Sequence, residues 1–262
     1  MRISGRTFVV SGGASGLGRA CVLDICAQGG NAAILDMNTE AGESLASTLG
    51  ASAKFMPCDV SSTSSIAAAV SSIVSWTEST TKPLGGIIPA AGVGLPALIL
   101  DKQLRPASLD SIDFVLSINL RGTLDLVRQL LPHLAATDAT DPDGERGVVI
   151  MVASAAAFEG QMGQVAYAAS KGAVAAMTLP MARDLSRFGI RVVTIAPSMF
   201  ESNMTAHLSD KVRDGLQKAM EFPPRAGKPD EFASLVRQAI ENVMLNGVVI
   251  RLDGATRMPS KL

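Results

Sequence analysis

The chain has 262 residues, the length of one large α/β domain, and its 23 basic against 24 acidic residues leave a net charge of −1. That balance excludes the electrostatic footprint of a nucleic-acid or anionic-membrane binder. Hydrophobic residues make up 47% and charged ones 18%, which excludes a disordered chain and leaves material for a sizeable core.

Short apolar runs alternate with longer amphipathic stretches from end to end. Thr7–Val10 is the first strand, followed by a glycine-rich turn and a helix from about Gly16 to Gln28. A second strand, Ala32–Leu35, ends in Asp36. A helix over Glu40–Leu49 leads to a third strand ending near Cys58, and Ile66–Trp76 is helical in pattern. Gly86–Ala90 is the fourth strand. The spacing of Ile112, Val115, Leu116, Leu120, Leu124, Val127 and Leu131 predicts one long helix over Leu109–Leu131. Ala136–Gly147 reads as a surface loop. Val148–Val152 is the fifth strand, Gln164–Arg187 a helix with Pro180 inside it, Arg191–Ile195 the sixth strand and Gly247–Leu252 the seventh.

Strands that are apolar throughout and separated by helices imply a mostly parallel sheet covered on both faces. The expected fold is therefore a single-domain Rossmann fold, α/β and doubly wound around seven strands, over residues 1–262. Its nucleotide-binding part would be about 1–150. No transmembrane span is expected: the uncharged run Gly85–Leu100 carries Pro89, Pro96 and several glycines and reads as a strand plus a loop. The chain reaches strand-like sequence by Thr7, so no secretory signal is expected. Cys21, Cys26 and Cys58 lack paired spacing, and His133 and His207 lack metal-ligand spacing. Buried thiols, no metal site and a cytoplasmic location are the expectation.

Three constellations carry chemistry. The first strand runs into Ser11-Gly12-Gly13-Ala14-Ser15-Gly16-Leu17-Gly18 and then a helix. Glycines there permit a tight turn and let backbone N–H groups approach a pyrophosphate. Asp36, at the end of the second strand, would accept hydrogen bonds from ribose hydroxyls and repel a 2′-phosphate, which favours NAD over NADP. Met37 and Asn38 offer no compensating charge. Tyr167 and Lys171 stand at i and i+4, on one face of one helix, and Tyr167 is the only tyrosine in the chain. A nearby positive charge favours phenolate, so Lys171 and an oxidised nicotinamide could make Tyr167 a base. Ser154, ending a buried strand, could donate to a substrate oxygen as charge develops on it.

The glycine turn, Asp36, Asp59-Val60, Asn119, Ser154 and the Tyr167/Lys171 pair together resemble the short-chain dehydrogenase/reductase family over essentially the whole chain. Ala157–Gln161, Met177–Leu185, the loop Asp141–Gly147 and Asn246–Met258 are similar to a branch acting on 3-hydroxyacyl-CoA and hydroxysteroid substrates. The resemblance implies an NAD-dependent oxidoreductase that interconverts a secondary alcohol and a ketone. It implies Asn119, Ser154, Tyr167 and Lys171 as the catalytic set, with Asn119 holding a water that relays protons from Lys171. It further implies cofactor contacts at Gly12, Ser15, Gly16, Leu17, Gly18, Asp36, Asp59, Val60, Ala90, Gly92, Tyr167, Lys171 and Phe200, and substrate contacts at Ser154 and Gln161. A homotetramer built on the helices Leu109–Leu131 and Gln164–Arg187 follows from the same resemblance, as does the mitochondrial matrix as a second candidate compartment. A mobile loop, about Ser198–Phe222, would cover substrate.

Two positions depart from the family pattern. Pro89 stands where asparagine is usual and removes a backbone donor, and Ser198 stands where glycine is usual. These departures motivate a second reading, a ketoreductase of specialised metabolites. A third is a nucleotide-binding scaffold with little turnover.

Overall fold

The computed structural model describes residues 1–140, 142–202 and 220–258. Seven strands form one sheet in the order β3-β2-β1-β4-β5-β6-β7, and every pair is parallel. They are β1 Thr7–Ser11, β2 Asn31–Asp36, β3 Ala53–Pro57, β4 Leu84–Pro89, β5 Gly147–Val152, β6 Ile190–Pro197 and β7 Val248–Leu252. The helices are α1 Gly16–Ala27, α2 Thr39–Leu49, α3 Thr63–Thr80, α4 Leu109–Leu116, α5 Thr123–Ala135, α6 Val165–Leu185 and α7 Pro229–Glu241.

Because successive strand residues face opposite sides, each buried strand feeds two cores. Phe8 and Val10 of β1 pack with Ile34, Val148 and Ile195 beneath α1, α2 and α7, where Val22, Leu45, Phe232 and Val236 close the layer. Val9 faces the other way, with Leu35, Ile87, Met151 and Val192, beneath α3, α5 and α6. Ile73, Leu126, Leu130 and Val174 complete that second layer. A sheet covered on both faces explains why its strands read as continuous apolar runs.

The chain winds outward from β1 to β3 and then returns to place β4 on the other side of β1. This reversal opens a crevice at the carboxyl ends of β1 and β4. Pro89 closes β4 at that edge. The β4–β5 ladder is confined to Gly86–Val148 and Ile87–Val149, so the missing proline N–H falls beyond it. Ser11 compensates on the other side, its carbonyl accepting from the Ala90 N–H and its hydroxyl from the Ala91 N–H.

Two expectations are corrected. The helix over Leu109–Leu131 is interrupted: Ser117–Gly122 forms a π-helical turn, and the helix then continues to Ala135. Such turns are frequent at functional sites, and this one carries the buried Asn119. The loop Ala136–Gly147 is not wholly a surface feature, because Glu145 is buried. It bridges the Met1 ammonium at 2.8 Å and Arg191 at 2.7 Å. The first residues of the loop expected over Ser198–Phe222 carry backbone hydrogen bonds. Ser198 N donates to Leu252 O, Gly227 N to Met199 O and Glu201 N to Gly227 O. Residues 203–219 of that loop lie outside the described residues.

Arg191 also anchors the end of α7. Its guanidinium donates to Ala239 O and Ile240 O, carbonyls that a helix end leaves open, and to Leu245 O just beyond the helix. Among the described residues, no helix is long and apolar enough to cross a membrane.

Candidate active site

A cleft of about 480 Å³ lies over the carboxyl ends of β1, β4, β5 and β6. Its β1 side is the glycine turn. Gly12 has φ +65, and a Cβ there would stand 2.9 Å from the Ala91 backbone. A Cβ on Gly18 would overlap the Gly12 carbonyl oxygen, so only glycine lets α1 start this close to β1. Ser15 caps α1 with an extended backbone and makes no side-chain capping bond, leaving first-turn N–H groups at the cleft wall. Gly12, Ser15, Gly16, Leu17, Gly18, Ala90, Gly92, Ser154, Tyr167, Lys171 and Phe200 all line the cleft.

Asp36, Asp59, Val60, Asn119 and Gln161 are not part of that lining. Asp36 ends β2 with Oδ2 accepting from Ala14 N and Oδ1 from Asn38 N, both at 3.0 Å. The carboxylate thus braces the glycine turn while staying partly exposed. Asp59 is engaged in the turn before α3, its Oδ1 accepting from Ser61 N and Ser61 Oγ. Val60 is buried, and its carbonyl packs against Gly122. Gln161 sits in the loop before α6, its backbone N–H donating to Gln164 Oε1.

On the β5 side, Ser154 caps the short 3-10 turn Ala155–Ala157, with Oγ accepting from Ala156 N at 3.1 Å. The same side chain lies near Tyr167 and favours its ionised form. One turn along α6, Lys171 Nζ donates to Val152 O at 2.8 Å and lies 5.9 Å from the Tyr167 ring centre. Burial sets the protonation of both. It pushes the Tyr167 phenol up, partly offset by Ser154, and it brings the Lys171 ammonium down to about 8. Burial thus opposes the phenolate, which the sequence assigns to Lys171 acting together with an oxidised nicotinamide.

Asn119 is fully buried behind this pair. Its Oδ1 accepts from Val93 N at 2.8 Å, and its Nδ2 donates to Val93 O at 2.9 Å and Ser170 Oγ at 3.1 Å. Ser170 Oγ in turn donates to Tyr167 O. Asn119 thus ties the cleft loop after β4 to the Tyr167 helix. Asn119 Oδ1 and Lys171 Nζ flank one point beside Gly92, 3.2 and 3.4 Å from where its Cβ would be.

Val93 and Ser170 carry parts of the site that the sequence did not single out, and Ser11, which opens the glycine turn, gains a role in it. Their signal is only small polar or apolar side chains beside the motifs. Among the described residues, no group of His, Cys, Asp and Glu could hold a metal.

The family model described as short chain dehydrogenase matches residues 6–213. The chain is 41% identical over 257 residues to the 3-hydroxyacyl-CoA dehydrogenase type-2 of Bos taurus, covering 98% of this chain and 97% of the relative. The corresponding protein of Drosophila melanogaster is also 41% identical, covering 98% and 99%. The crystal structure of 3-hydroxyacyl-CoA dehydrogenase type-2 from Mycobacterium avium superposes with a TM-score of 0.90 at 36% identity, covering 98% of both chains.

Proposed function

The chain belongs to the short-chain dehydrogenase family and is an oxidoreductase of CH–OH groups, and from that premise we propose that it is NAD-dependent and interconverts a 3-hydroxyacyl-CoA, or a hydroxysteroid-like ring alcohol, with its ketone. The observation that carries this reading is the convergence of Ser154, Tyr167 and Lys171 on one wall of a cleft whose opposite wall is the glycine turn.

A dinucleotide fits these residues. Gly12 and Gly18 have no room for a Cβ, and the N-terminus of α1 offers N–H groups to a pyrophosphate. Asp36 has carboxylate lone pairs beyond its two backbone bonds for ribose hydroxyls, and its charge disfavours a 2′-phosphate. Asp59, Val60 and Phe200 would complete the cofactor site, and Gln161 would meet the substrate. When bound, the nicotinamide supplies the acceptor or donor of the hydride, and its oxidised ring brings positive charge.

In the oxidative direction Tyr167 Oη takes the hydroxyl proton of the substrate. Ser154 Oγ, on the same cleft wall as Tyr167, holds the same oxygen and sets its distance from the phenol. Lys171 Nζ holds the ribose and, as an ammonium, favours the phenolate over the phenol. Asn119 keeps one lone pair on Oδ1 beyond its Val93 bond, suiting it to hold a water that passes the proton on. Residues from about 198 to 222 would cover the substrate.

We also place the homotetramer contacts on α4–α5 and α6. Leu109, Phe114 and Leu124 on the first pair, and Val165 and Leu179 on the second, are exposed apolar side chains. Light scattering that returns a monomer mass would refute that assembly. The test of the substrate is a panel of acetoacetyl-CoA, a cyclic ketosteroid and small cyclic ketones with NADH. Efficient turnover of either of the first two supports the proposal; turnover of small cyclic ketones alone would move the protein to specialised-metabolite reduction. NADH binding without turnover of any ketone would leave a scaffold.

A further inference from the structure

Ser154 and Tyr167 both line the cleft, and the loop between them carries Gln161, the residue assigned above to the substrate. The loop rests on α6 at Gly160, where a Cβ would come 3.0 Å from Ala168 Cβ. Glu159, just before it, reaches to β7 and the segment that follows. Its Oε1 meets Arg251 Nη1 at 2.7 Å and Arg257 Nε at 3.3 Å, and its Oε2 accepts from Met258 N at 3.1 Å. The Arg251 guanidinium also lies 5.4 Å from the centre of the Phe158 ring, so it engages two consecutive loop residues.

The far end of this tether is firm. Arg251 belongs to β7, which pairs with β6 along its whole length. Asp253 Oδ2 accepts from Arg251 Nε at 2.6 Å, Asp253 Oδ1 accepts from Ala255 N at 3.1 Å, and Thr256 is buried. The hydrogen bond from Arg251 holds the Glu159 carboxyl below the usual carboxylate range, so the pair is ionised at neutral pH.

Ion pairs near a surface usually add little to stability. This one differs in what it joins, a strand of the sheet to a loop flanked by Ser154 and Tyr167. Without it the loop samples further positions, and only a fraction of the molecules presents Gln161 correctly. Apparent substrate affinity falls by that fraction, while saturating substrate restores the productive position. The glycine turn lies on the opposite wall, so cofactor affinity is spared.

We infer that Glu159 is a substrate-positioning residue: through Arg251 it fastens the loop 155–164 to β7 and so sets where Gln161 stands against the substrate. This rests on the proposed alcohol–ketone reading and on the substrate contact given there to Gln161.

The test is steady-state kinetics of the full chain with NADH and either acetoacetyl-CoA or a cyclic ketosteroid, with NADH affinity measured by fluorescence. The variants are Glu159→Ala, Glu159→Gln, Gln161→Ala and the double variant Glu159→Ala/Gln161→Ala. In Glu159→Ala the ketone KM should rise about 3- to 10-fold, with kcat and NADH Kd within about twofold of wild type. Glu159→Gln keeps an acceptor for Met258 N and should show a smaller rise. The double variant should have the KM of Gln161→Ala alone, because the tether acts through that residue. Three results would overturn the inference: an unchanged KM in Glu159→Ala, a loss of kcat or NADH affinity as large as the rise in KM, or a double variant whose KM rise is the product of the single ones. If wild type binds NADH but reduces neither ketone, the alcohol–ketone reading itself fails, and this inference falls with it.

Discussion

Replacing Asn119 separates its proposed role at the site from its weight in the fold. The side chain makes three hydrogen bonds, two to the Val93 backbone and one to Ser170 Oγ, in a fully buried position. At about 1 kcal/mol net for each, Asn119→Leu, which keeps the shape but not the bonds, should cost about 3 kcal/mol. For a chain of this size that corresponds to a melting temperature lower by about 6–12 °C. The same change releases the loop Gly92–Gly94, which lines the cleft, from α6, so the NADH Kd should rise together with the loss of stability. Differential scanning calorimetry gives the first quantity and fluorescence titration the second. A variant that melts within about 2 °C of wild type and binds NADH equally well would show that the buried amide is neither a strut nor a tether.

Four further outcomes follow from the geometry. Gly18→Ala, whose Cβ would overlap the Gly12 carbonyl, should weaken NADH more than tenfold by titration, and retained affinity would mean that the turn does not hold the pyrophosphate. Asp36→Ser should raise the NADPH-to-NADH ratio of kcat/KM by about tenfold, since a carboxylate no longer faces the 2′-phosphate; an unchanged ratio would remove Asp36 from cofactor choice. Lys171 has a folded pKa of about 8, below its ordinary value, so between these two values the unfolded chain holds more protons and stability should rise with pH. Urea melts from pH 8 to 9.5 should show a gain of about 2 kcal/mol relative to Lys171→Met, and parallel curves for the two proteins would contradict the shift. Arg191→Met leaves Glu145 buried with only the Met1 ammonium and frees the carbonyls at the end of α7, at a cost of about 3–5 kcal/mol by urea denaturation, and a loss below 1 kcal/mol would show that this network is dispensable.

The sheet was legible because burial on both faces writes itself as unbroken apolar runs, which is why β1, β2, β5 and β6 lie within a residue or two of where Thr7–Val10, Ala32–Leu35, Val148–Val152 and Arg191–Ile195 place them. The glycine turn and the Tyr167/Lys171 pair were legible because local geometry, a tight turn or one helical step, brings their residues together. What the sequence hid depends on long-range contact. The π turn at Asn119 keeps the apolar period of the helix on either side, so nothing in the spacing reveals it. Glu145 reads as one more loop carboxylate until β6 places Arg191 beside it. The pairing of Ser11 with Ala91, and of Ser170 with Asn119, joins residues far apart in the chain. The protonation of Tyr167 and Lys171 follows from burial, which a motif does not encode.

The proposed NAD-linked alcohol–ketone reaction turns on Tyr167 moving the proton. Its most direct test is NADH oxidation with acetoacetyl-CoA by wild type and Tyr167→Phe, with NADPH run alongside and NADH affinity measured for both proteins. The expected result is NADH-preferring turnover in wild type and a fall in kcat of about 10²–10⁴ in Tyr167→Phe, with NADH affinity reduced no more than a few-fold. Turnover by Tyr167→Phe at the wild-type rate would contradict it, because the only tyrosine in the chain would then have no part in the chemistry.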